Sequence, residues 1–480
     1  MRKIILMFLA LVAIAASAQE RFQRRPCIRG IPEMATKTRA LPNPSQNWDP
    51  ARTYRQAVLL VEYADSTFSM DDPKTYYDQL LNLTSSNTRG GAGCAADYFR
   101  DQSNGMFNLQ FDVYGPIKVS QSAKRTKSGD NYGDEACLEA VKKAVDSLKV
   151  DFSPYDWNQD GEVEQVVLIA SSYCGNSGGV YTKFIWPNTY YFFSKRVEVA
   201  KNLYVNQYSV SAEKWGNDIL CGIGTICHEY AHCLGLPDLY PTDDSMYSMV
   251  DEWDLMDGGN YTCWGWNPPN FSALEKQLMG WLSFEDIKEP VQIKEMKPVA
   301  DGGKAYRMTV EGDKFYYFEN RQQKGWDRGL PGKGLTIYSV DYDASIWKNN
   351  GVNKKSNYRY QLVHADGLDY DGWDSFVKAN GLLAYVDNEN RMNRRHLSGS
   401  PFPYVSDTLE VNQCDILPMP LTNIYLSDAG TISFDVVLTG INAVVDDDDN
   451  DCWYDLQGRK LSGKPARKGV YIHNRRKVAI

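Results

Sequence analysis

The chain has 480 residues, enough for two or three domains, and its 43% hydrophobic and 12% aromatic content is ample for packed cores. A formal net charge of −9 argues against nucleic acid as a partner. Beyond the N-terminus no stretch reaches the roughly 18 consecutive apolar residues of a transmembrane span, so a soluble or surface-attached mature chain is expected.

Residues 1–18 read as a signal peptide: Arg2 and Lys3, an apolar run over 4–15, then Ala16-Ser17-Ala18 before Gln19. Its removal takes away two positive charges and moves the net charge from −9 to −11. All 10 cysteines lie beyond it. Export permits disulfides, but ten cysteines allow too many pairings to choose among, so buried thiols or long-range disulfides are both open. Residues 19–50 carry Arg21, Arg24, Arg25, Arg29, Lys37 and Arg39 among several prolines and lack hydrophobic periodicity, as in a leader or pro-segment. The stretch 24–33 around Cys27 loosely resembles the cysteine-switch pro-segment of matrixins, in a different residue order. That likeness would make Cys27 a latency ligand and the chain a zymogen; a disulfide or no role are the alternatives.

Residues 51–285 alternate strand and helix patterns, which indicates an α/β domain. Strands are expected at 57–63, 106–114 and 163–170, and helices at 73–84, 94–105 and 134–149. Between the last of these helices and the strand that follows it lies Asp156-x-Asn158-x-Asp160-Gly161-Glu162-x-Glu164. Oxygen ligands on alternate residues with a Gly at the sharp turn match the front half of an EF-hand loop, so Ca²⁺ is a candidate structural ion there. Position twelve is Val167 rather than Glu, and an Asx-type β-turn fits the same residues. Residues 175–218 hold a Gly-rich loop and aromatic strands. One of those strands is expected to border the site, but the pattern does not say which.

The chemistry concentrates at 225–240. His228-Glu229-x-x-His232 places two imidazoles at i and i+4, on one face of an apolar helix expected to begin near 219. Two such imidazoles can hold one Zn²⁺ from the same side, with Glu229 able to reach its water as general base. With 5 histidines in the chain, a chance match of this pattern is expected in roughly a few chains per thousand. Gly235 and Pro237 end the helix and turn Asp238 back toward the histidines as third ligand, in the spacing of metzincins. Glu252 is the competitor in a thermolysin-like site, and Glu319 a more distant one. Cys227 and Cys233 flank the helix face but point apart, so they are not expected to pair with each other. Met256, in a tight turn further on, fits the second metzincin signature. Tyr261 could donate to a developing oxyanion, and a core or rim role is the alternative.

A helix over 271–281 closes this region. The texture over 286–440 is short alternating strands separated by turn signals, as in an all-β module. An acidic linker over 441–451 and a short basic β tail over 452–480 follow. The expected fold class is therefore α+β, a metzincin-like α/β peptidase domain followed by an all-β domain.

Several separated stretches together resemble the immune inhibitor A-like secreted bacterial zinc metallopeptidases. They are 97–105, 156–164, 228–240, 253–256, 318–322 and 325–332. Ser339 departs from the pattern, where relatives often carry His. The tail over 454–460 and 468–472 is similar to C-terminal sorting domains of type IX secretion, which implies export across an outer membrane through that machinery. The resemblance implies a secreted zinc endopeptidase acting on protein or peptide substrates. The alternative from another class is a surface adhesion or glycan-binding protein built on an inactive peptidase domain.

Overall fold

The structure is a computed structural model that describes residues 48–84, 89–124, 133–243, 248–368 and 397–438, with short stretches between 453 and 479. The expected signal peptide, nearly all of the leader with Cys27, and the acidic linker lie outside the described residues.

A five-stranded sheet organises the first half. Its strands are β1 (Thr53–Glu62), β2 (Asn108–Lys118), β3 (Val166–Tyr173), β4 (Asn188–Tyr191) and β5 (Gln207–Lys214), in the spatial order β2-β1-β3-β5-β4. β1 runs parallel to β2 and β3, and β3 parallel to β5. β4 is antiparallel to β5 and forms the edge. Parallel neighbours need crossovers. Helices α1 (Pro73–Asn82) and α2 (Ala95–Gln102) lie between β1 and β2, and α3 (Asp134–Asp146) between β2 and β3. Because both sheet faces are covered, the centres of β1 and β3 are unbroken buried runs rather than alternating ones. Val58 and Leu60 pack with Tyr77, Leu80, Phe99 and Tyr230 on one face; Leu59 and Val61 pack with Ala140 and Val141 on the other. The expected helices and strands fall on these elements, with ends displaced by a few residues.

The 97–105 stretch has a packing task. The Cys94 thiol and the Asp97 carboxylate cap α2 reciprocally. Tyr98 donates to the carbonyl of Pro269 at 2.7 Å, and the Phe99 ring meets Tyr230 at 4.9 Å between centroids. The Gln102 amide bonds Asn270 Oδ1 at 2.8 Å and accepts from Phe271 N at 3.0 Å. This stretch therefore braces the helix that carries the histidines.

Helices α4 (Gly224–Cys233) and α5 (Ala273–Leu278) complete the first half. The second half contains β6 (Glu285–Asp286), β7 (Val291–Met296), β8 (Tyr306–Glu311), β9 (Lys314–Arg321), β10 (Gly334–Asp341), the one-turn helix α6 (Ala344–Lys348), β11 (Tyr360–Val363), β12 (Leu421–Leu426) and β13 (Ile432–Val436). They form a five-stranded sheet β11-β10-β9-β8-β6 and a three-stranded sheet β7-β13-β12. Alternation along β9 and β10 divides their side chains between two cores. Phe315, Tyr317, Tyr338 and Val340 join the cluster holding Trp253 and Met256, while Phe318 and Ile337 pack with Ile432 and Phe434. The main core thus continues past position 285. At the C-terminus, residues 453–454, 460–461, 470–473 and 476–479 pair as a four-stranded antiparallel sheet. Among the described residues no helix is long and apolar enough to cross a membrane.

Candidate metal centre

All ten residues of α4 are buried. The helix starts at Gly224 and not near 219, which corrects the sequence pattern. Leu220 bridges Lys214 at the end of β5, and Cys221 N donates to Glu213 O at 2.9 Å, so backbone pairing keeps this stretch extended. Gly224 is needed for close approach: a Cβ there would sit 2.1 Å from the carbonyl oxygen of Asn260. The helix ends as expected at Gly235, whose φ is +95°. Gly235 N donates to His232 O at 3.0 Å and Leu236 N to Ala231 O at 3.1 Å, the paired closure that reverses the chain. That reversal brings Asp238 back over the helix.

The i,i+4 spacing sets the His228 and His232 rings 4.9 Å apart. His228 Nδ1 donates to Leu255 O at 2.8 Å and His232 Nδ1 to Leu236 O at 2.7 Å. A carbonyl can only accept, so each Nδ1 carries hydrogen and each Nε2 is left to present a lone pair. Both Nε2 atoms are buried without a hydrogen-bond partner. They lie 3.3 and 3.4 Å from Asp238 Oδ1, within ion-pair reach but without hydrogen-bond alignment. Among the described residues, His228, His232 and Asp238 are the one group whose ligand atoms gather for a metal, all within 4.8 Å of one another. Burial alone would lower the His228 pKa, but Asp238 and the charge of Glu229 outweigh it and raise it to about 9. Burial opposes charge on Asp238 too, yet the two imidazoles hold it well below the usual carboxylate range. Two imidazole lone pairs and a carboxylate are the nitrogen and oxygen donors that catalytic zinc takes, so the site fits that ion.

Glu229 is buried beside this group, and burial raises its pKa above the ordinary value. Its Oε2 lies 2.9 Å from the Thr189 hydroxyl, which is also 2.9 Å from the Glu229 carbonyl. Its Oε1 is buried without a hydrogen-bond partner. Thr189 lies on β4, so the strand that borders the site is the antiparallel edge, which the sequence pattern could not pick out.

The 248–257 loop ties these pieces together. The Asp257 carboxylate accepts from Ser248 Oγ and from the backbone N–H groups of Met249, Val250 and Asp251. Met256 is fully buried; its carbonyl takes Leu239 N at 2.8 Å, while the preceding carbonyl holds His228. Tyr261 lies in the 3₁₀ segment Gly259–Gly265, accepts from Asn176 Nδ2 at 3.0 Å and sets its ring edge-on to Trp215.

Neither competitor for the third ligand belongs to the metal group. Glu319 is buried on β9, with Oε1 3.2 Å from Arg321 Nη1 and Oε2 accepting from Ala273 N at 3.2 Å. Arg321 in turn forms a two-point pair with Asp327 at 2.8 and 2.7 Å. Glu252 is half-buried in the 3₁₀ turn Asp251–Trp253. In the Asp156–Glu164 turn the acidic groups bond mostly to the turn itself. Asp156 accepts from Asp160 N and Gly161 N, Asn158 Oδ1 also accepts from Asp160 N, Asp160 accepts from Glu162 N, and Glu162 pairs with Arg196 at 2.8 Å. Elsewhere, Cys174 and Cys221 Sγ approach to 3.6 Å.

Sequence reasoning missed Thr189 and Asn350. Asn350 Nδ2 donates to Asp238 Oδ2 at 2.7 Å, and its Oδ1 accepts from Asp238 N at 2.7 Å.

Residues 62–282 match the sequence model of the immune inhibitor A peptidase M6 catalytic domain. The chain is similar to immune inhibitor A of Bacillus thuringiensis subsp. alesti, 25% identical over 271 residues that cover 46% of this chain and 39% of that protein. It is also similar to the pre-pro-metalloprotease PrtV of Vibrio cholerae serotype O1 (strain M66-2), 23% identical over 284 residues that cover 51% of this chain and 30% of that one. The chain therefore spans less than half the length of these relatives. The matched region, which contains the His228–Asp238 site, is a metallopeptidase domain.

Proposed function

We propose that the chain is an exported zinc endopeptidase in which His228, His232 and Asp238 hold Zn²⁺ and Glu229 is the general base. The observation that carries this reading is the convergence of two buried imidazole lone pairs on Asp238, beside a carboxylate oxygen that nothing else engages. A zinc ion held there lowers the pKa of a water molecule and polarises a peptide carbonyl. Glu229 Oε1 takes the proton of the attacking water and returns it to the leaving amine, while Thr189 anchors Oε2. Tyr261 donates to the carbonyl oxygen as it gains charge. β4 is the last strand of its sheet and borders the site, the place where zinc peptidases commonly run a peptide substrate alongside a strand.

In this reading residues 51–285 carry the chemistry, 286–440 brace it, and 1–18, 19–50 and 452–480 serve export, latency and sorting. The test is hydrolysis of casein or gelatin by protein lacking residues 1–50. Activity is expected in the parent and absent in zinc-loaded Glu229→Ala. A zinc-loaded parent that cleaves neither would favour the adhesion or glycan-binding alternative. If 19–50 is a pro-segment, trimming it raises activity; unchanged activity would remove latency from the account. A calcium ion in the Asp156–Glu164 turn is also part of the reading. Added Ca²⁺ should raise the melting temperature of the zinc-loaded protein, and Asp160→Ala should abolish that rise.

A further inference from the structure

Asp238 is fixed from outside the region that matches the peptidase family. The pair of 2.7 Å hydrogen bonds with Asn350 closes a ring between the Asp238 backbone N–H, its Oδ2 and the Asn350 amide. Asn350 is 112 residues away in sequence and 5% exposed. It follows α6, whose first turn is capped by the Asp343 carboxylate accepting from Ser345 N and Ile346 N. Its φ is +53°, a left-handed conformation that Asn adopts more readily than most residues. The segment around it is fastened to the residues after Asp238. Asn353 Nδ2 donates to Leu239 O at 2.6 Å, Thr242 Oγ1 to Asn350 O at 3.3 Å and Thr242 N to Asn353 O at 3.3 Å. On the far side Asn353 Oδ1 accepts from Arg359 N and Tyr360 N at the start of β11. The chain from 350 to 353 is thus a latch between the second sheet and the third-ligand turn.

From this geometry we propose that Asn350 is a positioning residue for the metal. It holds Oδ2 and the backbone of Asp238, so that Oδ1 is the oxygen presented to His228 and His232. This rests on the zinc-ligand reading above. A partner that orients a ligand through a hydrogen bond commonly changes metal affinity about 10- to 100-fold when removed.

The test is zinc affinity, measured by competition with a chromophoric chelator, on the full chain. Asn350→Gly keeps the positive φ accessible while removing the amide. Asn350→Asp keeps an acceptor for the Asp238 N–H but replaces the donor with an oxygen. Both are expected to bind zinc about 10- to 100-fold more weakly while staying folded by circular dichroism. In an Asp238→Ala background, Asn350→Gly should have no further effect, because Asn350 acts through that carboxylate. Unchanged affinity in folded Asn350→Gly and Asn350→Asp would overturn the proposal. So would an equal loss in both backgrounds, which would make Asn350 a general brace. If one variant does not fold, the other decides. Full affinity in Asp238→Ala alone would instead refute the ligand assignment.

Discussion

Glu229 and Asp238 are each held through one carboxylate oxygen, by Thr189 and by Asn350. In the proposed reading, this orientation fixes which lone pairs face the metal and the attacking water. Glu229→Gln should keep zinc and lose roughly 10²- to 10⁴-fold in kcat, the usual contribution of a general base. Thr189→Val should lower kcat about 10- to 150-fold with KM and zinc content unchanged, since a hydrogen bond to a charged group is worth about 1.5–3 kcal/mol. Thr189→Ser should restore most of it. Equal falls in zinc content and kcat would mean that Thr189 supports the fold instead. The two histidines are legible because helix geometry turns a four-residue spacing into a shared face. Asp238 was legible because Gly235 and Pro237 announce a reversal. Thr189 and Asn350 left no such sign. They reach the site from 40 and 112 positions away, and no local period encodes a contact of that range.

At the level of elements, close approach and buried charge decide the site's framework. Gly224 lets the 259–265 segment lie against the start of α4. Gly224→Ala should therefore destabilise the chain by about 1–3 kcal/mol, read as a lower urea midpoint. The stretch 318–322 stood out in sequence as part of a family resemblance, but its task was hidden. On β9 the buried Arg321 holds Glu319 and Asp327 together and donates to the carbonyls of Trp253 and Asn270 at 3.4 and 3.2 Å. Arg321→Leu leaves two buried carboxylates facing only the Lys276 ammonium and single backbone N–H groups, so a loss of about 3–5 kcal/mol is expected in denaturant titration. A loss below about 1 kcal/mol would show that water already screens the cluster. As an acidic residue on a buried strand, Glu319 demands a partner. That partner is Arg321, two positions along on the same face of the strand.

Across the whole molecule, the change in sequence texture near 286 marks a change of architecture without a break in the core. Alternation along a strand says which residues point inward, but not which neighbour they meet. Tyr317, Tyr338 and Tyr360 meet the cluster of Trp253 and Met256, and Tyr360 donates to Asp254 at 3.4 Å beside the Met256 turn. A chain of residues 51–285 alone should therefore be insoluble or fail to retain zinc, whereas one extended to 438 should fold and bind it. Removing the metal with a chelator should lower the melting temperature of the longer chain, because zinc binds the folded state in preference to the unfolded one.

The most direct test of the central claim is zinc content per chain in protein lacking residues 1–50, beside Glu229→Ala and Asp238→Ala. The account predicts one zinc in the parent and in Glu229→Ala, and little in Asp238→Ala. No zinc in a folded parent prepared with zinc available would contradict it.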